Sequence, residues 1–265
     1  MKKLEKIAGF SILFLLMLIL SCSKQEKMPV TSSSQDAIVL YEKSNEALEN
    51  VYTNKYRELI DQALDLDPDF FMAAYSSSIY YLWMKNDRNF EKYSEIAVNI
   101  DTRLSRPEKI MQKALQALVE DKNADVSEFG KKLVKLYPKD KNSYYQLAIY
   151  QDFAEDTEGM IKTYEQLMDI TENPAPVYNV LGYAYMEAER MEDAEKAFNK
   201  YIELAPDEPN PYDSKGDYYM AKGDFKKAYE HFMKAYNIDA EFTISYEKAI
   251  AARNKIDTTF VTAGE

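Results

Sequence analysis

The chain has 265 residues and a formal net charge of −12, with one Cys, one His and one Trp. A single Cys excludes an intramolecular disulfide, a CxxC redox pair and a Cys-based zinc site, and a single His excludes a His-pair metal site. The acidic balance argues against a nucleic-acid binder, which carries a basic stripe to neutralise phosphates, and the seven Gly leave little room for a Gly-rich phosphate loop or a hairpin-rich fold.

The chain opens with Lys2, Lys3 and Lys6, followed by an apolar stretch from Ile7 to Leu20. As a helix that stretch would span about 21 Å, short of the roughly 30 Å hydrocarbon core, so residues 1–21 read as a secretory signal peptide rather than a membrane-spanning helix. The stretch ends in Ile19-Leu20-Ser21-Cys22. This resembles a bacterial lipobox, and the resemblance implies cleavage before Cys22, a lipid on its thiol and attachment to the membrane. Loss of residues 1–21 would take the charge from −12 to −14. Ser23 after the Cys, by the sorting rule of that family, implies the outer membrane. Residues 22–35, rich in Ser with no aromatic, read as a lipidated flexible tether.

Beyond the tether the chain repeats itself every 34 residues. In the stretch 175–208, Tyr178, Leu181, Gly182, Tyr185, Ala194, Phe198 and Pro206 fall at positions 4, 7, 8, 11, 20, 24 and 32 of the unit. The next unit, 209–242, repeats Tyr212, Gly216, Tyr219, Ala228 and Phe232 at the same places, with Lys215 at the apolar position 7. This pattern resembles the tetratricopeptide repeat. The frame continues backwards through 141–174, 107–140, 71–104 and 37–70, with Ser105 and Arg106 as an insertion. Position 8 is small in all six units: Ser44, Ser78, Ala114, Ala148, Gly182 and Gly216. That is where the two helices of a unit approach closely. Position 20 is large in the first four units (Tyr56, Phe90, Val126, Met160), so splayed or shifted helix pairs are expected there.

The resemblance implies an all-α, right-handed solenoid of about six helix–turn–helix repeats over 36–256. A capping helix at 243–255 closes it, before a disordered tail at 257–265. No stretch alternates with period two, so no strands are expected.

Little points to chemistry. Asp65-Leu66-Asp67-Pro68-Asp69 starts like a calcium loop but has Phe70 and Ser76 where Gly and Glu are needed. His231 has no nucleophile near it in sequence. No catalytic residue, metal site or cofactor is expected. In the tetratricopeptide family, positions 2, 5, 9, 12 and 13 line a concave groove. Here they place Tyr41, Asn45, Tyr75, Trp83, Tyr145, Phe153, Asn179, Tyr183, Asp213 and Asp217 on it. The groove would be aromatic in its N-terminal half and acidic at its C-terminal end, suiting a basic or neutral partner. If the N-terminal half winds tightly, the same aromatic residues would instead be core. The expected function is a non-enzymatic, lipid-anchored scaffold for a protein or peptide segment in the bacterial cell envelope, with no nucleic-acid partner. The alternative is a carbohydrate-binding outer-membrane lipoprotein of a nutrient-uptake system, which only one Trp would have to serve.

Overall fold

The computed structural model describes residues 27–49, 52–101 and 104–262. The expected signal peptide 1–21 and Cys22 lie outside the described residues. Among those described there are thirteen helices and no strand. Unit 37–70 holds α1 (Gln35–Glu49) and α2 (Thr53–Leu66), and unit 71–104 holds α3 (Phe71–Trp83) and α4 (Asp87–Asn99). Helices α5 (Arg106–Glu120), α6 (Ser127–Leu136), α7 (Lys141–Phe153) and α8 (Thr157–Met168) follow. Then come α9 (Ala175–Glu187), α10 (Met191–Leu204), α11 (Asn210–Ala221), α12 (Phe225–Ile238) and α13 (Thr243–Thr262).

The hairpin inside a unit has a local cause. Lys85, Glu155, Glu189 and Gly223 all have positive φ, and all fall at position 15 of their units. A left-handed residue after a helix ends it and lets the chain reverse. Only Gly223 takes that conformation without a steric cost. The next helix then starts on a side-chain cap in several units: Asn86 accepts from the Asn89 amide, Asp156 from Gly159 and Asp224 from Lys227.

Packing inside the last two pairs depends on bare backbone. A Cβ placed on Gly182 would lie 2.5 Å from the Phe198 ring, and one on Gly216 would meet the Phe232 ring in the same way. Both rings are fully buried. In earlier units the bulk moves by one helical turn: Phe90 pairs with Ser94, and Val126 with Gly130, where the last units have Ala and Phe. The first two helix pairs close well despite a large position 20, although only the second has the swap, and the third pair is the splayed one. There α6 packs more extensively on α7 than on α5, because at Gly130 it approaches the α7 backbone: a Cβ would lie 2.7 Å from Leu147 Cα.

The described part of the expected tether is not free. Residues 28–33 run as an extended strap back across the turns that lead into α7, α5 and α3. Met28 N–H donates to Asp140 Oδ2 (2.6 Å), and Ser105 Oγ donates to the Pro29 carbonyl (3.0 Å). Thr31 donates its N–H to Glu108 Oε1 (2.8 Å) and its hydroxyl to Oε2 (2.6 Å). Ser32 Oγ (2.5 Å) and Ser33 N–H (2.7 Å) donate to Asp67 Oδ2. Met28 and Val30 pack against the N-terminal core. Asp67, Glu108 and Asp140 are all buried, and the strap supplies the donors that buried carboxylates require. Burial pushes the Asp67 carboxyl up, but the bonds from Ser32, Ser33 and Asp69 outweigh it and hold it below the usual value.

At the other end, α13 continues to Thr262, past the expected end at Lys255. No Gly or Pro interrupts the stretch before Gly264. The two ends of the array also touch. Tyr52, in the α1–α2 turn, donates its hydroxyl to Asp239 Oδ2 (3.1 Å) and sets its ring edge-on to Phe242.

Candidate interaction groove

The C-terminal groove is built from one face each of α9, α11 and α13. Tyr183 on α9 donates its hydroxyl to Asp217 Oδ2 on α11 (2.8 Å), one repeat further along. Lys248 on α13 reaches both Asp213 Oδ2 and Asp217 Oδ2 at 2.7 Å, and Ser245 donates to Asp213 Oδ1 (2.5 Å). The acidic end expected from the sequence is therefore largely compensated from within, because α13 takes the place of a further first helix and brings a cation to the pair. Asp213 is buried, while Asp217 and Lys248 stay partly open. Tyr183 is 37% exposed, with its hydroxyl held by Asp217. Beside it, Asn179 Oδ1 is buried without a hydrogen-bond partner.

The charges respond to one another. Burial pushes the Asp217 carboxyl up, and Asp213 adds to this while Lys248 opposes it. Burial alone would lower Lys248, but the two carboxylates outweigh it and hold its ammonium above the ordinary lysine value. A cation with a raised folded pKa contributes stability that is fully present below its unfolded value of about 10.4, and that is lost as pH rises through the folded value. Lys248→Met is expected to lower the melting temperature at neutral pH and to flatten the alkaline limb of the stability profile. An unchanged alkaline limb in a thermal melt series would show that Lys248 carries none of it.

In the N-terminal half Tyr41 and Tyr75 turn inward instead. Tyr75, 2% exposed, shares a hydrogen bond between hydroxyls with Tyr150 (2.7 Å), which joins α3 directly to α7. Burial and the neighbouring phenol push the Tyr75 hydroxyl well up. Tyr41 is also buried, edge-on to Phe70, and Asn45 is half-buried beside it. Tyr41 and Tyr75 are thus core residues rather than groove residues, because the first four units wind tightly enough for α3 to meet α7. Phe153 packs on this same core from α7, and Tyr145 sets its ring against Tyr164 in the next cluster. Trp83 is 62% exposed at the end of α3, next to exposed Met84, away from the C-terminal groove residues.

Two unusual side chains are accounted for by packing. Lys215, 2% exposed, lies over the Tyr218 ring and reaches Glu195 at 3.3 Å. His231 stacks between Tyr212 and Tyr219, and burial together with Lys215 lowers its pKa. Among the described residues no group of three or more His, Cys, Asp or Glu could hold a metal ion.

The register that builds this groove has an outside counterpart. Residues 175–208 and 210–242 match the family model described as a tetratricopeptide repeat. These two units are tetratricopeptide repeats. The whole described array follows them in being all-α, with helices packed pairwise as helix–turn–helix repeats. Among solved structures the chain is similar to TTC0263, a thermophilic tetratricopeptide-repeat protein of Thermus thermophilus. The TM-score is 0.51 at 16% identity, over 68% of this chain and 97% of that one. It is also similar to PilW, described as a widely conserved type IV pilus biogenesis factor, with a TM-score of 0.48 at 14% identity over 82% of this chain and 100% of that one. MamA from Desulfovibrio magneticus RS-1 gives 0.43 at 13% identity, over 59% and 94%. The likeness to TTC0263 is one of fold. No curated protein matches the sequence significantly. Lys248 and Ser245 are groove residues that the sequence reading missed. Run on to a seventh unit starting at Thr243, the 34-residue frame puts Ser245 and Lys248 at positions 3 and 6, outside the groove positions, so the frame alone gave no signal for them.

Proposed function

We propose that the chain is a non-enzymatic, lipid-anchored scaffold of the bacterial cell envelope, attached through Cys22, whose C-terminal repeats hold a protein or peptide segment in their groove. Repeat arrays present extended surfaces rather than catalytic pockets. The observation that carries the reading is the contrast between the two halves. The N-terminal face is filled by Tyr41, Tyr75 and Tyr150 and crossed by the strap, whereas α9, α11 and α13 leave Tyr183, Asn179, Asp217 and Lys248 facing a groove. Tyrosine offers a broad, rigid contact at low entropic cost, and aromatic anchors dominate binding energy at such surfaces. With Lys248 placed between two aspartates, one negative charge remains. A segment that is neutral or weakly basic, with a hydrogen-bond donor for Asp217, suits it. Lipobox-like Leu20-Ser21-Cys22 supports the anchor, and Ser23 supports the outer membrane.

Two measurements test the reading. In affinity capture from detergent-solubilised envelope, Tyr183→Ala is expected to lose a stoichiometric protein partner and, since its ring also packs on Phe198, to lower the melt by less than Tyr75→Ala does. Tyr75→Ala is expected to lose stability first. Retention of the partner by Tyr183→Ala, or binding to glycans with no protein partner, would overturn the groove. Cys22→Ala is expected to move the protein from the membrane to the soluble fraction, and continued membrane fractionation would overturn the anchor.

A further inference from the structure

We infer that the edge of the solenoid where the strap emerges rests on an anionic lipid surface, with the C-terminal repeats lifted away from it. The inference depends on the lipid anchor proposed above. It starts from the leash. Met28 is fixed to Asp140 at the α6–α7 turn. Six residue steps separate it from Cys22, so an acylated Cys22 lies within about 20 Å of that turn even with the chain fully extended. The strap therefore selects which edge of the array meets the bilayer.

The charge of that edge matches. Lys27 precedes the pinned residue, and Lys139 and Lys141 flank its partner Asp140. Arg106 follows Ser105, which bonds Pro29, and Lys109 follows Glu108, which bonds Thr31. All five basic residues are exposed, while Asp140 and Glu108 are buried and bonded to the strap. In a chain of net charge −12 this concentration is not composition. The corresponding turns further along are acidic: Asp169 and Glu172 before α9, Asp207 and Glu208 before α11, and Asp239 and Glu241 before α13. Asp69 and Asp101, in the turns into α3 and α5, are exposed acidic residues on the strap's own edge, set against the five basic ones. Anionic headgroups attract basic residues held near the surface, and the effect fades within about 10 Å. A short leash that ends in a basic patch satisfies both conditions. The acidic turns favour distance from the same surface and leave the Tyr183 groove accessible.

The test uses the acylated full chain in vesicles of phosphatidylcholine alone and in vesicles of equal parts phosphatidylcholine and phosphatidylglycerol. Hydrogen exchange is followed by mass spectrometry. Peptides covering the α6–α7 turn are expected to exchange severalfold more slowly on the anionic vesicles, and peptides covering Asp207–Glu208 at equal rates on both. Lys27→Glu with Lys139→Glu and Lys141→Glu should abolish the difference while the protein stays vesicle-bound, and Arg106→Glu with Lys109→Glu should reduce it. Equal exchange at the α6–α7 turn with the protein firmly bound would overturn the orientation alone. A chain that floats free of both vesicle types would overturn the anchor and the orientation with it.

Discussion

Gly182→Ala is expected to destabilise the protein, although alanine is the better helix former. The new methyl would lie 2.5 Å from the ring of Phe198, which is itself locked between Tyr183 and Tyr218. Overpacking a tight interior costs about 1–3 kcal/mol, while the helix propensity of Ala returns about 1 kcal/mol. Gly182→Leu should cost more, since its whole branch has to find room between α9 and α10. The direct check is a thermal melt of Gly182→Ala with and without Phe198→Leu. If the ring is the obstacle, the smaller side chain recovers part of the loss. Additive losses would show that the position-8 contact is not what holds this pair. Gly223 is the control: a Cβ there meets nothing, so Gly223→Ala carries only the backbone cost of a left-handed residue, about 1–2 kcal/mol.

Glu108→Ala is expected to release the strap and to cost about 1–3 kcal/mol, the range for polar groups left without their hydrogen-bond partner. Its carboxylate takes the Thr31 amide and hydroxyl from the strap and the Ser105 amide from its own helix start, where Ser105 and Glu108 form a capping box. Amide exchange separates the two roles. Faster exchange at Thr31 and its neighbours, with α5 still protected, would report strap release. Loss of protection through α5 alone would mean that the residue serves only as a cap. Glu108→Gln should fall between wild type and Ala, because its amide oxygen can accept from Thr31 while its NH2 faces a second donor.

The two C-terminal repeats were legible because every consensus position from Tyr178 to Phe232 sits in the local order of the chain, and six small residues at position 8 carried the frame into the N-terminal half. The swap of bulk between positions 20 and 24 was also visible in the sequence, but its meaning depends on which helix turns toward which. Phe90 beside Ser94 reads as a departure until α3 and α4 are seen to close around it. The strap was not legible. Its Ser, Thr and Pro have the composition of a linker, and what orders it are Asp67, Glu108 and Asp140, far along the chain and unremarkable in their own segments. The groove was half legible for the same reason. Asp213 and Asp217 declared a negative end, but the charge of a surface also depends on what the following helix brings, and Lys248 came from the segment read only as a cap. Tyr75 stood at a fork between groove and core, and Tyr150 is the partner it meets. Their hydroxyl pair decides it, since two phenols from alternate units meet only where the array winds tightly.

The strap also bears on the order in which the protein assembles. A solenoid normally gains and loses repeats one after another from either end, because each touches only its neighbours. Here residues 28–33 are made first, yet their acceptors come later, up to Asp140 at a separation of 112 residues, and the Tyr52–Asp239 contact spans 187. Loops of that length close slowly. A chain emerging from the ribosome can build α1 through α6 as local hairpins, but it cannot seat its own beginning until the start of α7 has been synthesised. Asp67 and Glu108 can draw their donors from Ser32, Ser33 and Thr31 as they are made, but Met28 finds Asp140 only at the end, so the strap should be completed in one late step rather than by growth along the array.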